Sequence, residues 1–78
     1  MKTFTVKFDT VDNAASFVKS IEDFDSHFDL IYGKYVVDAK SILGVMTMNL
    51  RKAVDLRVME RNGEMEQIIE AITPYIAA

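Results

Sequence analysis

The chain holds one imidazole, His27, and no thiol. The absence of cysteine removes a thiolate nucleophile, a disulfide framework and a cysteine zinc site together. His27 falls between the predicted first helix and second strand, in a loop flanked by Asp25 and Asp29. A lone loop histidine among acids is ordinarily a solvated residue, and one nitrogen ligand without convergent partners makes no metal site. Two hydroxyls stand out. Thr10 lies between Asp9 and Asp12 with no base nearby in the sequence, and a threonine hydroxyl without a positioned base is a poor nucleophile. Ser41 follows Lys40 and precedes the apolar run Ile42-Leu43. Its simplest role is a helix N-cap; a phosphate on it would meet the helix's positive end with Lys40 alongside. Phe28, Tyr32 and Tyr35 have aromatic faces for stacking, but their places in strand-like runs assign them to sheet packing. The chain has no glycine-rich phosphate loop, no paired catalytic carboxylates and no nucleophile with a spaced base, so an enzyme is not expected and no cofactor is implied.

The elements that must position these residues follow from periodicity. Phe4, Val6 and Phe8 alternate with Thr3, Thr5 and Lys7, which predicts a half-buried strand over Thr3 to Phe8. Ala14, Phe17, Val18, Ile21 and Phe24 then recur at three and four residues, predicting an amphipathic helix from about Val11, with Thr10 or Asp12 as N-cap. The acids Glu22, Asp23 and Asp25 suit a helix C-terminus badly and should stop it there. Phe28 to Tyr32 and Tyr35 to Ala39 read as two strands of a hairpin turning at Gly33-Lys34. Ser41 starts a short helix through about Met48, and Val54, Leu56 and Val58 alternate as a fourth strand. After the turn signal Asn62-Gly63, Glu64 and Glu66 occupy the first turn of a helix whose stripe is Met65, Ile68, Ile69, Ile72 and Ile76. Pro74 should end or bend it near Thr73.

Chemistry of whole classes is excluded by composition. Seventy-eight residues suffice for one domain over 1–78, and half of them are hydrophobic, enough for a core without disulfides or metal. A net charge of -3 with scattered cations gives no basic stripe for nucleic acid. No apolar run nears the roughly 18–20 residues that span a bilayer, and the N-terminus enters a strand pattern instead of a signal-peptide core. The expectation is a cytoplasmic protein without membrane or nucleic-acid partners.

One stretch is specific. Asp38-Ala39-Lys40-Ser41-Ile42-Leu43-Gly44-Val45-Met46-Thr47-Met48 resembles the regulatory-serine segment of the HPr family, the histidine-containing phosphocarriers of the bacterial sugar phosphotransferase system. Ala14-Ala15-Ser16-Phe17-Val18-Lys19 resembles the first-helix text that follows the family's active site, and the two segments keep the family's spacing without a gap. The resemblance implies an α+β open-faced sandwich of order βαββαβα, a four-stranded mainly antiparallel sheet with three helices on one face. HPr members carry Gly-(Leu or Ile)-His-Ala-Arg-Pro-Ala at the start of the first helix. Here the corresponding text is Phe8-Asp9-Thr10-Val11-Asp12-Asn13-Ala14, which sets Thr10 at the phosphohistidine, Asp12 at the arginine and Asn13 at the proline.

The resemblance therefore implies a divergent member without the active-site histidine. Two carboxylates at Asp9 and Asp12 oppose the negative charge of an incoming phosphoryl group, and a helix dipole worth about 0.3–1 kcal/mol does not outweigh them. The expected role is a noncatalytic regulatory module that binds proteins of phosphotransferase or catabolite-regulator type, with Ser41 a candidate for regulatory phosphorylation. Ile42, Leu43, Met46 and Met48 crowd a short helix of which one side faces the sheet, so Ile42, Leu43 and Met46 are the candidate partner-binding residues. The alternatives are a phosphocarrier of altered mechanism and a fold-retaining scaffold or dimerisation domain. The residues leave oligomeric state and partner identity open.

Overall fold

The computed structural model describes residues 1–49 and 52–77. In chain order the elements are β1 (Lys2–Val6), α1 (Val11–Ile21), β2 (His27–Tyr32), β3 (Tyr35–Asp38), α2 (Ile42–Met46), β4 (Val54–Met59) and α3 (Met65–Ile72), closed by a 3-10 turn at Thr73–Tyr75. The strands form one antiparallel sheet in the order β1-β4-β2-β3. The alternation of each strand dictates its two faces. Val6, Phe28, Leu30, Leu56 and Val58 point inward and are sealed by Ala14, Phe17, Val18 and Ile21 of α1 and Ile68 and Ile72 of α3. Among the described residues the other face carries no helix. This is the expected open-faced sandwich, with the helices on one side.

Turns fix the register. Gly33, at a φ of +58, supplies the left-handed first position of a two-residue hairpin loop that sets Tyr32 opposite Tyr35. Asn62 and Gly63 both adopt positive φ and reverse the chain between β4 and α3.

Several boundaries differ from expectation, chiefly where bonds from distant parts of the chain take over. β1 stops at Val6 because the Lys7 N–H turns to the Tyr75 carbonyl at 2.9 Å. Phe8 then leaves the sheet, its ring 5.0 Å from Phe17 and 5.9 Å from Tyr75. α1 ends at Ile21, and Phe24 packs against Phe28 from the following turn. β3 ends one residue before Ala39, although the Ala39 N–H still reaches the Phe28 carbonyl. α2 is shorter than predicted, ending at Met46. Ile76 does not continue the α3 stripe: past Pro74 the backbone is extended, Ile76 bridges to Val6, and the Ala77 N–H reaches the Thr5 carbonyl at 2.9 Å. The C-terminal segment thus covers part of the outer edge of β1. No helix among the described residues is long and apolar enough to cross a membrane.

Candidate functional site

The Ser41 turn is tightly built. Asp38 accepts the Lys40 N–H on its side chain at 2.9 Å and the Ser41 N–H on its carbonyl at 3.0 Å, fixing the step from β3 into α2. Ser41 is the N-cap, its Oγ accepting the Gly44 N–H at 3.3 Å. α2 turns Val45 into the core, half-buries Met46 against it, and leaves Ile42 and Leu43 at 39% and 80% exposure. Of the three candidate docking side chains, Leu43 is therefore the most available and Met46 the least. Between α1 and α2, Ala15, Val18, Lys19, Glu22, Lys40 and Ile42 line a hollow of about 280 Å³.

Lys40 does not stand ready beside Ser41 as its sequence position implied. Its ammonium donates to the Phe24 carbonyl, just past the end of α1, and lies 5.7 Å from the centroid of the Phe28 ring. A backbone carbonyl oxygen and an aromatic face both attract a cation, and together they draw this one away from Ser41.

Thr10 is the N-cap of α1, extended at φ -140 and ψ 164, with Oγ1 accepting the Asn13 N–H at 3.1 Å. It is the N-cap of the two offered by the sequence. Asp12 sits in the first helical turn, and Asp9, Thr10, Asp12 and Asn13 are all exposed. The hydroxyl lone pair is occupied in capping, and carboxylates flank it.

His27 is not a loop residue. It opens β2 on the helix-free face, and its Nε2 lies 2.9 Å from Oδ1 of Asp29, whose Oδ2 accepts Nη2 of Arg57 at 2.8 Å. Burial pushes the Asp29 carboxyl up, but the Arg57 hydrogen bond and the charge and hydrogen bond of His27 more than offset it, so its pKa falls below the usual 3.8. The cluster forms because Asp29 pairs with Arg57 in register across β2 and β4, and His27 is two residues along on the same face. Thr10 and His27 stand at opposite ends of α1.

Tyr35 also departs from the sheet-packing expectation. Phe28 is core and Tyr32 packs half-buried against it, but Tyr35 is 62% exposed because α2 ends short of the hairpin. With Tyr32, Val37, Thr47, Met48 and Asn49 it lines a depression of about 390 Å³.

Sequence reasoning missed a clasp between the α1–β2 and β4–α3 loops. Glu64 precedes α3, and its carboxylate accepts Ser26 Oγ at 2.8 Å, the Ser26 N–H at 3.0 Å and the Asp25 N–H at 3.2 Å. Ser26, fully buried, in turn accepts the Arg61 N–H at 2.8 Å. Desolvation raises the Glu64 pKa, yet these hydrogen bonds and the charge of Lys40 bring it below its usual 4.5. The only sequence signal was an acid at a helix start, which did not reveal a partner 38 residues away.

A four-stranded antiparallel sheet under three helices, with a capped serine helix leading out of its edge strand, defines a class of small open-faced α+β domains. Within that class the chain is a member of the HPr family: the family model described as "PTS HPr component phosphorylation site" matches residues 11–78. The match begins at Val11, directly after Thr10. The fold is also that of the crystal structure of HPr-C-His from Thermoanaerobacter tengcongensis, which is 24% identical, with a TM-score of 0.73 over 94% of this chain and 92% of that one. Membership relates the chain to the phosphotransferase system and to protein partners.

Proposed function

We propose that the chain is a noncatalytic, regulatory member of the HPr family that binds protein partners through α2 and does not transfer phosphoryl groups from a histidine. The observation that carries this reading is Leu43, an aliphatic side chain 80% exposed two residues after the N-cap Ser41 and next to Ile42, which lines the α1–α2 hollow. An exposed leucine contributes little to folding, and grouped with Ile42 it offers apolar area to a partner. Against phosphoryl transfer stand the position of His27, held by Asp29 on the helix-free face, and the use of Thr10 as a cap between carboxylates. Partners of phosphotransferase or catabolite-regulator type fit this surface, and Ser41 is the candidate for regulatory phosphorylation. A phosphate there would meet the α2 backbone N–H groups without help from Lys40, which is engaged elsewhere.

Incubation with phosphoenolpyruvate and Enzyme I of the phosphotransferase system, followed by mass detection, tests the reading. No acid-labile phosphohistidine is expected. Stoichiometric label at His27 would overturn it in favour of a carrier of altered mechanism.

A further inference from the structure

The two edges of the sheet are treated differently. β1 is partly covered by residues 76 and 77, whereas among the described residues nothing pairs with the outer side of β3. β3 (Tyr35-Val36-Val37-Asp38) has no proline or bulge, and it exposes Tyr35 at 62% and Val36 at 53%. Exposed edges with apolar side chains and free backbone groups are the surfaces to which another strand adds.

The backbone parity of this edge is fixed. Ala39 donates to Phe28, and the two-residue hairpin closes at Tyr32 and Tyr35, so Tyr35, Val37 and Ala39 turn their N–H and C=O groups to β2. Val36 turns both of its groups outward, and Asp38 turns its N–H outward while its carbonyl also takes the Ser41 N–H at 3.0 Å. We propose that β3 pairs antiparallel with β3 of a second copy of this chain, centred on Val36, joining two sheets into one of eight strands.

Charge selects both the occupant and the register. A pairing that continues the ladder and keeps the two faces matched must set an outward residue against an outward residue. Among such registers, centring on Val36 alone places Lys34 opposite Asp38 of the second copy, twice by symmetry. One register step further along sets Asp38 or Lys34 against Val36, and the next sets like charges together. The Val36 centre also exchanges two N–H to C=O bonds between the Val36 residues. It brings Tyr35 of the second copy opposite Val37, on the helix side of the sheet, at the rim of the depression lined by Tyr32, Tyr35, Val37 and Met48. The exposed tyrosine of each copy is thus offered a hollow on the other.

This surface goes beyond α2 docking and can fail without affecting it. Four-residue strands make a contact at the weak end of specific interfaces, so the dimer is concentration-dependent. Sedimentation equilibrium should show the mass rising from 8.9 kDa towards twice that value as protein approaches about 1 mM. Lys34→Asp and Asp38→Lys each set like charges opposite one another and should stay monomeric. Their equimolar mixture should dimerise, because both crossings then pair opposite charges. As a readout free of variants, the Val36 amide of the wild type should exchange more slowly with deuterium as concentration rises. A wild type that remains at 8.9 kDa, or that dimerises without slowing exchange at Val36, overturns the proposal. So does a mixture of folded single variants that gains no mass.

Discussion

Leu43→Asp separates docking from folding on α2. Fully burying a leucine side chain contributes about 1.5–3 kcal/mol, and four-fifths of the residue's surface is still exposed. A partner that covers it completely therefore gains up to about 1.2–2.4 kcal/mol, or roughly 8- to 60-fold in Kd, before any penalty for burying the new carboxylate. The fold gains little from the covered fifth, so the substitution should change unfolding stability by less than about 0.5–1 kcal/mol. Val45, two residues on, turned to the opposite side of α2 and fully buried, is the control: Val45→Ala should cost about 1.5–3 kcal/mol while leaving the exposed surface in place. Met46→Asp is less informative, because its half-buried side chain packs on the core and the variant mixes lost docking with lost stability. Urea melts of Leu43→Asp and Val45→Ala, with calorimetric titration against a partner recovered by pull-down, supply both readouts. A folded Leu43→Asp protein with unchanged affinity would refute docking through this helix. A loss of stability above about 2 kcal/mol would refute the exposure on which the reasoning rests.

Acid should unfold the chain through two carboxylates. Asp29 and Glu64 both titrate below their ordinary values of 3.8 and 4.5 in the folded protein. Their stabilisation is thus complete above those values and is lost as pH falls through the lower folded pKa values. Thermal melts from neutral pH down to about pH 2 should steepen below the ordinary carboxylate range, and Glu64→Gln and Asp29→Asn should each flatten that limb; an unchanged acid slope in both variants would contradict the assignment. At the start of α1, Thr10→His alone should not restore phosphoryl transfer from Enzyme I, because Asp9 and Asp12 leave the site anionic, whereas Thr10→His with Asp12→Arg should do better. Equal initial rates for the two would remove the electrostatic explanation.

The legible parts of this fold were those governed by one element's own period or by a single cap. The three-and-four spacing of Ala14, Phe17, Val18 and Ile21 belongs to one helix, and Thr10 and Ser41 bond to backbone three residues ahead, so each could be read locally. Element ends were less legible because tertiary bonds set them. Lys7 belongs to Tyr75, and Ile76 to Val6, across most of the chain. The same holds at the sites. Lys40 adjoins Ser41 in sequence, but its charge is drawn to a carbonyl 16 residues back. Glu64 looked like a first-turn acid, whereas its hydrogen bonds close two loops.

His27 shows how far a local reading can mislead about environment. Its neighbours Asp25 and Asp29 are equally close in sequence, but strand alternation puts only Asp29 on its face, and register then adds Arg57 from β4. The imidazole is consequently tied into a three-residue polar cluster on the side of the sheet away from every helix. α1 has 11 residues and is about 16 Å long, and it separates the cap at Thr10 from the turn that leads to His27. A donor protein engaging the start of α1 would have to reach along that length and around to the opposite face to meet this nitrogen. The distance along the helix and the change of face both weigh for the proposed reading, in which the chain is bound by partners and carries no phosphoryl group on histidine.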